Sequence, residues 1–310
     1  MIKKTLYFGN PAYLSLKNNQ LVIKLPEVER NASLPDRYKT QSAITKPIED
    51  IGLVILDNKQ ITITTGVLDA LLENNSSVIT CDSKSMPVGL LLPLSGNTVQ
   101  NERFRDQLSA TLPLKKQLWQ QTIKAKITNQ ATVLLNCLGE ESKCMKVWAD
   151  EVKSGDSDNL EARAAAYYWK ILFSHIPGFT RDREGIYPNN LLNFGYAILR
   201  AIIARALVSS GLLPTLGIHH HNRYNAYCLA DDIMEPYRPY VDELVFQLVQ
   251  KHKGETELTK DLKGVLLTIP TLEVIINGKR SPLMVAATQT TSSLYKCFTG
   301  ELRRIVYPEK

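Results

Sequence analysis

Two kinds of sequence meet at a short, turn-rich segment, L-S-G-N-T at residues 94–98. Ser, Gly and Asn in close succession are typical of a turn or a linker, because they favour backbone conformations that helices and strands exclude. Short β-branched runs precede the segment, and long patterns with helical periodicity follow it. The segment therefore predicts two domains in this 310-residue chain, an N-terminal β domain at 1–94 and a larger helical domain at 95–310.

The N-terminal part has the composition of short strands separated by turns. Residues 13–16 and 21–25 predict a hairpin, since the polar residues between them favour a tight turn. Residues 52–56 and 60–64 predict a second pair of strands joined by a short turn at 57–59. One further strand and one short helix are expected in this part: 77–81 and 67–72. Together these elements predict a small, mostly β domain.

Helical periodicity dominates the C-terminal part. Residues 101–128 carry apolar side chains among charges, and Pro113 predicts a break or kink within them. Residues 157–159 offer N-caps for an alanine-rich helix at 160–169. Two further helices, a strand that ends in an Asn-Gly turn and a final helix are predicted: 189–213, 241–252, 272–276 and 283–304. The expected fold class is therefore α+β, β-rich first and helical second.

Composition excludes several classes of protein. The most apolar stretch, 196–213, contains Arg200 and Arg205, so we expect no membrane span. The first residues lack the long apolar core of a signal peptide, and the five cysteines are scattered without a C-x-x-C pair. We therefore expect a cytoplasmic protein with reduced thiols.

The charge balance permits nucleic-acid binding without requiring it. Lys and Arg total 37 against 31 Asp and Glu, which gives a net charge of +6. The sequence contains no G-x-S-x-G, no H-E-x-x-H and no phosphate-binding loop G-x-x-x-x-G-K-[ST]. Basic side chains early in the helical part are interpreted as surface charges that could contact DNA phosphates: Arg103, Arg105, Lys115, Lys116, Lys124 and Lys126.

The densest polar cluster spans residues 217–224 and 228–235. If the second range is helical, Asp232 and Glu235 are three positions apart and face the same side. A histidine from the preceding loop could join them, and two carboxylates with one imidazole suit Mn²⁺ or Mg²⁺. Glu161 is the best candidate for a third carboxylate, because an unpaired charge would be costly in its alanine-rich helix. Solvated or salt-bridged carboxylates remain the alternative reading of the same residues.

Four motifs in this order resemble one known family: N-L-E-A-R-A-A-A-Y-Y at 159–168, N-N-L-L-N-F-G-Y-A-I-L at 189–199, G-I-H-H at 217–220 and D-I-M-E-P-Y-R-P at 232–239. The family is CRISPR-associated protein 1, the integrase of CRISPR adaptation. Two N-terminal stretches are similar to its form in type II systems: P-I-E-D-I-G-L-V-I-L at 47–56 and C-D-S-K-S-M-P-V-G-L-L-L-P-L at 81–94.

The resemblance implies an N-terminal β-sandwich followed by an all-α catalytic domain. It implies a metal-dependent DNA endonuclease and integrase of antiviral defence, which inserts captured foreign DNA as new spacers by 3′-hydroxyl attack on phosphodiesters. The catalytic and metal-binding residues carry over as Glu161, His220 and Glu235, with Mg²⁺ or Mn²⁺ as the cofactor. Asp232 also matches an acidic position and is either a ligand or a group that supports one. His219 and His221 flank His220 and leave its register open.

The resemblance also implies partners. These are double-stranded DNA, as captured fragment and as CRISPR repeat, CRISPR-associated protein 2, and a second copy of the chain in a homodimer formed largely through the N-terminal domain. The effector nuclease of the same system is a further expected partner. Two other functions stay open, a general nuclease for branched or damaged DNA and a non-catalytic DNA-binding scaffold whose acidic residues are structural.

Overall fold

The computed structural model describes residues 3–252 and 256–310. The chain forms two compact units, Met1–Gly96 and Asn97–Lys310. Strands in two sheets are the main regular structure of the first unit, and helices make up most of the second, which confirms the α+β class and its order. The assignment of 1–94 and 95–310 as separate domains stays a prediction, because a compact unit is not thereby shown to fold alone.

Eight strands and three helices are found in the described part of the first unit: β1 (Lys4–Phe8), β2 (Tyr13–Lys17), β3 (Gln20–Lys24), α1 (Pro26–Glu29), α2 (Asp36–Ser42), β4 (Ile44–Pro47), β5 (Ile51–Leu56), β6 (Thr62–Ile63), α3 (Thr65–Glu73), β7 (Ser77–Cys81) and β8 (Pro87–Leu91). The strands form two four-stranded sheets in the orders β1-β5-β7-β8 and β4-β3-β2-β6. Leu14, Ile51 and Leu71 belong to one buried apolar cluster. The two sheets and α3 therefore share a common core, as the expected β-sandwich requires.

The predicted hairpin, the strand at 77–81 and the helix at 67–72 are confirmed. In the hairpin, β2 and β3 are antiparallel and Lys17 pairs with Gln20. Asn18 and Asn19 form the turn with φ of 51° and 56°, the positive values that a tight two-residue hairpin needs.

The predicted pairing of 52–56 with 60–64 is wrong. β5 lies between β1 and β7 and runs parallel to both, whereas β6 pairs with β2 in the other sheet. The physical reason is the composition of β5, an almost wholly buried apolar run of the kind that parallel central strands have on both faces. The segment after β5 therefore crosses to the other sheet instead of turning back as a hairpin.

Nine helices and one hairpin are found in the described part of the second unit: α4 (Gln100–Ser109), α5 (Leu112–Leu138), α6 (Lys143–Glu151), α7 (Leu160–Leu172), α8 (Asn189–Ser209), α9 (Cys228–Met234), α10 (Arg238–Lys251), α11 (Lys260–Leu266), β9 (Glu273–Ile276), β10 (Lys279–Pro282) and α12 (Leu283–Phe298). A 3-10 turn, Glu235–Tyr237, joins α9 to α10. The predicted strand and its Asn-Gly turn are confirmed as β9 and the turn into β10.

Two long helices, α5 and α8, contribute many of the buried residues of this unit. Thr111 caps α5, and Pro113 lies in its first turn, so the expected break falls just before the proline, at the start of the helix. α8 is long and apolar enough to span a bilayer by length and composition alone, yet 78% of its most apolar window is buried inside the protein. That burial is typical of the core helix of a globular domain.

Two predicted helices end earlier than expected. α8 ends at Ser209 rather than at 213, and α12 ends at Phe298 rather than at 304. Gly211 and Gly300 have φ of 71° and 80°, the left-handed conformation that follows many helix ends. These glycines lie inside the predicted ranges and mark where each helix terminates.

Candidate active site

Glu161 lies in the first turn of α7, held there by an aspartate that sequence reasoning missed. Asp156 accepts hydrogen bonds from the backbone N–H groups of Leu160 and Glu161 at 2.9 and 3.0 Å. The predicted capping by 157–159 is wrong, because Asn159 has a left-handed backbone, φ 53°, and makes no side-chain cap. The carboxylate of Asp156 satisfies the free N–H groups instead and fixes the helix start that carries Glu161.

Lys126 of α5 joins two of the predicted site residues. Its Nζ lies 2.7 Å from Oε1 of Glu161 and 2.6 Å from Oε2 of Glu235. Lys126 and Glu235 are buried, whereas the Glu161 side chain keeps 24% of its exposure. The two carboxylates therefore converge on one cation, and the reading of Lys126 as a surface charge is wrong.

The electrostatics of this cluster keep the ions charged. Burial acts to lower the pKa of Lys126, but Glu235 and Glu161 raise it above its ordinary value. Burial acts to raise the pKa of Glu235, but Arg238 and Lys126 outweigh it and lower the pKa to about 2. Arg238 Nε lies 2.8 Å from Oε1 of Glu235. Glu235 thus has a cation beside each oxygen, which offsets the cost of burying its charge.

The histidine loop before α9 wraps around Asp232. The fully buried carboxylate accepts backbone hydrogen bonds from Ile218, His219 and His220 at 2.7, 3.0 and 3.2 Å. A side chain at Gly217 would place its Cβ 2.2 Å from the His220 carbonyl oxygen and 2.8 Å from Oδ2 of Asp232, so only glycine fits there. Successive N–H groups around one anion form a rigid nest, which fixes the position of the loop.

His220 is tied to the same carboxylate through its ring. Nδ1 lies 2.5 Å from Oδ1 of Asp232, which leaves Nε2 as the other ring nitrogen of a half-exposed side chain. The hydrogen bond to Asp232 is the main cause that raises the pKa of His220, and burial opposes it. The charges of Glu235 and Glu161 also raise this pKa, so both carboxylates lie within electrostatic reach of the ring.

The neighbouring histidines have different surroundings. His219 stacks on Trp119 of α5 with ring centroids 4.1 Å apart, and His220 meets the same indole edge-on at 5.5 Å. His221 is exposed, and its Nδ1 lies 2.7 Å from the carbonyl oxygen of His219. The structure therefore brings His220 to Asp232 and places His219 against the buried Trp119.

A small cavity lies against Lys126 and Glu235. It has a volume of about 210 Å³, and its lining includes Lys126, Glu235, Gln130 and Asp242. Asp242 is fully buried and accepts hydrogen bonds from the hydroxyls of Tyr168 and Tyr196. Burial is the main cause that raises its pKa to about 7, against the lowering effects of the two tyrosines and of Arg238 and Arg181.

The donor set fits a hard divalent cation by its chemistry. Two carboxylates already converge on one cation, and an imidazole nitrogen lies within electrostatic reach of both. Carboxylate oxygens suit Mg²⁺, and an added imidazole favours Mn²⁺. Within residues 3–252 and 256–310, however, no group of three His, Cys, Asp or Glu side chains stands ready to hold a metal ion. The ammonium of Lys126 lies where the two carboxylates converge.

Comparison with known proteins identifies relatives over most of the chain. Residues 6–278 match the family of CRISPR associated protein Cas1. A CRISPR-associated endonuclease Cas1 from Neisseria meningitidis serogroup C (strain 8013) is 35% identical over 311 residues, which cover 100% of this chain and 97% of that protein.

Two solved structures share the fold. A casposase bound to integration product gives a TM-score of 0.77 at 19% identity and covers 98% of this chain and 92% of that one. A Cas6-RT-Cas1--Cas2 complex gives 0.72 at 20% identity and covers 100% of this chain and 36% of that one. At these identities the two structures show the fold alone.

Proposed function

This chain belongs to the CRISPR-associated Cas1 family, and from that premise we propose that it is the DNA endonuclease and integrase of a CRISPR adaptation system. The reaction is the insertion of a captured DNA fragment into a CRISPR array. The observation that carries the proposal is the convergence of Glu161 and Glu235 on one cation beside the anchored ring of His220.

The proposed step is a transesterification at a repeat boundary. The 3′-oxygen of the fragment forms a new bond to phosphorus, the bond from that phosphorus to the 3′-oxygen of the array breaks, and one proton passes from the entering to the leaving oxygen. Since one phosphodiester replaces another, no nucleotide hydrolysis is required. That agrees with the absence of a phosphate-binding loop motif from the sequence.

Glu161, Glu235 and Nε2 of His220 would hold the divalent ion, Mg²⁺ or Mn²⁺. When bound, the ion supplies Lewis-acid polarisation of the phosphoryl oxygen and stabilises charge on the entering or leaving oxygen. The carboxylates bring the negative charge that recruits it. Glu235 is ionised at neutral pH because Arg238 and Lys126 hold its pKa low against the effect of burial.

Asp232 acts as a positioning residue in this proposal rather than as a ligand. Both of its oxygens accept hydrogen bonds from the histidine loop, and Oδ1 also meets Nδ1 of His220. A carboxylate on one ring nitrogen orients the imidazole and directs Nε2 outward. His220 can alternatively carry the proton between the two oxygens, since an imidazole titrates near neutrality.

The proposed partners follow from the family and from the complexes in which the structural neighbours occur. A structural neighbour is part of a Cas6-RT-Cas1--Cas2 complex, which supports CRISPR-associated protein 2 as a partner here. The casposase bound to integration product supports integration as the reaction, and a structural neighbour solved as a TtCas1-DNA complex supports DNA as the substrate, which the family makes double-stranded. A homodimer and contact with the effector nuclease are proposed from the family alone.

Light scattering tests the homodimer. It should give a mass near twice 34.8 kDa for the free chain, and a monomer at micromolar concentration would contradict the homodimer.

An integration assay tests the function. The purified chain and its partner protein are incubated with a labelled DNA fragment and a supercoiled plasmid that carries one repeat, with Mg²⁺, with Mn²⁺ or with a chelator. We expect the label to be joined at the repeat boundaries only when a divalent ion is present. Cleavage without joining would favour a general nuclease, and DNA binding without turnover in either ion would favour a scaffold.

A further inference from the structure

Lys126 is placed where a divalent cation would otherwise be expected. Its ammonium contacts Glu161 and Glu235 at 2.7 and 2.6 Å, and its side chain is 9% exposed. A divalent ion bound by the same carboxylates needs oxygen atoms at about 2.0–2.2 Å and cannot share that space with an ammonium. Lys126 and a divalent ion therefore compete for one pair of carboxylates.

A second observation lies one helical turn along α5. Gln130 is buried, and its Oε1 has no hydrogen-bond partner among the described residues. Residues four apart share a helix face, so Gln130 and Lys126 line the same cavity of about 210 Å³. An unpartnered buried acceptor is costly and rare, and it marks a place where a donor can be received.

The charges around the cavity bear on whether a cation can enter it. Glu235 and Asp242 contribute carboxyl groups, and Arg181 and Arg238 contribute two guanidinium groups. Arg238 is paired with Glu235, and Arg181 donates to the side chains of Asn189 and Asn193. Asp242 accepts hydrogen bonds from the hydroxyls of Tyr168 and Tyr196, and within the described residues Gln130 Oε1 has no hydrogen-bond partner, so these are the acceptors that the cavity offers to an ammonium.

We propose that Lys126 is the built-in counter-ion of the Glu161–Glu235 pair, which leaves the pair for the adjoining cavity when a divalent ion binds. The inference rests on the proposed metal-dependent function. Until a metal arrives, Lys126 holds the two carboxylates together in the arrangement that a ligand pair needs. The presence of Lys126 reduces the apparent affinity for the metal, because the ion must first displace the ammonium from the two carboxylates.

Calorimetric titration of the full chain with Mn²⁺ tests the displacement. Lys126→Met removes the ammonium and keeps the length of the aliphatic chain, so Mn²⁺ should bind it at least about tenfold more tightly than the wild type. Lys124→Met is the matched control. Lys124 lies on the same helix, is exposed and pairs with Asp150 at 2.7 Å, so its loss should leave the Mn²⁺ affinity unchanged.

Two further variants keep the test decisive. Lys126→Gln is neutral but retains N–H donors for the carboxylates, so it serves if Lys126→Met does not fold, with the same tighter binding expected. Gln130→Leu removes the acceptor in the cavity and should weaken Mn²⁺ binding by about fivefold, but only while Lys126 is present. Equal affinity of Gln130→Leu and the wild type would overturn the cavity as the destination.

The outcomes separate this inference from the proposed function. If the wild type binds Mn²⁺ and the Lys126 variants bind it equally or more weakly, the displacement is overturned and the metal-dependent function stands. If neither the wild type nor any Lys126 variant binds Mn²⁺, both are overturned. Melting temperatures supply a second readout, since Mn²⁺ should raise the melting temperature of Lys126→Met more than that of the wild type.

Discussion

Oδ1 of Asp232 lies 2.5 Å from Nδ1 of His220, and the same carboxylate accepts the backbone N–H of that histidine. One buried side chain thus fixes both the position of the loop and the orientation of the ring. Asp232 therefore occupies Nδ1 of His220 and leaves Nε2 as the ring nitrogen that is proposed to bind the metal ion.

Asp232→Asn should separate this orienting role from a purely structural one. Its amide N–H would donate to Nδ1 of His220 and force the ring proton onto Nε2, so the lone pair proposed for the metal is lost. We expect the integration rate to fall at least about a hundredfold while the protein stays folded. Near-normal integration by a folded Asp232→Asn protein would exclude the orienting role.

Glu161→Gln should abolish integration with little change in stability. Glu161 is partly exposed, and the amide can still accept a hydrogen bond from Lys126.

Glu235→Ala should abolish integration and also lower the free energy of unfolding by about 3–5 kcal/mol, because Lys126 and Arg238 lose their buried counter-ion. His220→Ala should likewise be inactive. Assays of strand transfer and denaturant unfolding check both effects, and a variant with wild-type activity would remove its residue from the site.

Gly217→Ala should displace the histidine loop. The new Cβ would lie 2.2 Å from the carbonyl oxygen of His220, a backbone atom that can move only with the loop. We expect a loss of stability of about 1–3 kcal/mol together with a loss of integration. Gly264→Ala is the control, since a Cβ there meets nothing within 4 Å and α11 should gain slightly from alanine. Unfolding curves that rank the two variants the other way would contradict this account of the loop.

Asp242 should make the stability of the protein depend on pH. Burial raises its pKa to about 7 from an ordinary 3.8, so between these values the folded protein binds a proton that the unfolded chain has released. The contribution is therefore fully present below about pH 4 and is lost as the pH rises towards 7, by roughly 4 kcal/mol at most. Asp242→Asn, which keeps an acceptor for Tyr168 and Tyr196, should lack this loss. Parallel slopes of unfolding free energy against pH in the two proteins would contradict the raised pKa.

Local sequence patterns predicted the elements whose structure is set locally. The hairpin at 13–25, the alanine-rich helix α7 and the Asn-Gly turn after β9 follow from turn residues and helix propensity within a few positions. The strands that pair with β5 could not be predicted from such local patterns. Pairing is set by residues far along the chain, and a short loop does not show whether the next strand returns to the same sheet.

The sequence predicted which residues belong to the candidate site, but it did not predict the contacts between them. The sequence interpretation of Lys126 as a surface charge is wrong, since Ile123, Ile127 and Gln130 around it on α5 are all buried. Their spacing was the signal that Lys126 lies on the inner face of the helix. Its contacts with Glu161 and Glu235 come from two other elements, so no local pattern could indicate them. The capping by Asp156 was missed for a different reason: the left-handed backbone of Asn159 removes the residue next to the helix as the cap, and the sequence pattern does not show that conformation.

Glu161, Glu235 and His220 are proposed to form one divalent-metal site, and anomalous diffraction from crystals of the full chain grown with Mn²⁺ measures this most directly. We predict a manganese peak in contact with the two carboxylates and with Nε2 of His220, and the ammonium of Lys126 moved out of the space between the carboxylates. A manganese peak elsewhere, or Lys126 still bridging Glu161 and Glu235 in crystals saturated with Mn²⁺, would contradict the proposed site.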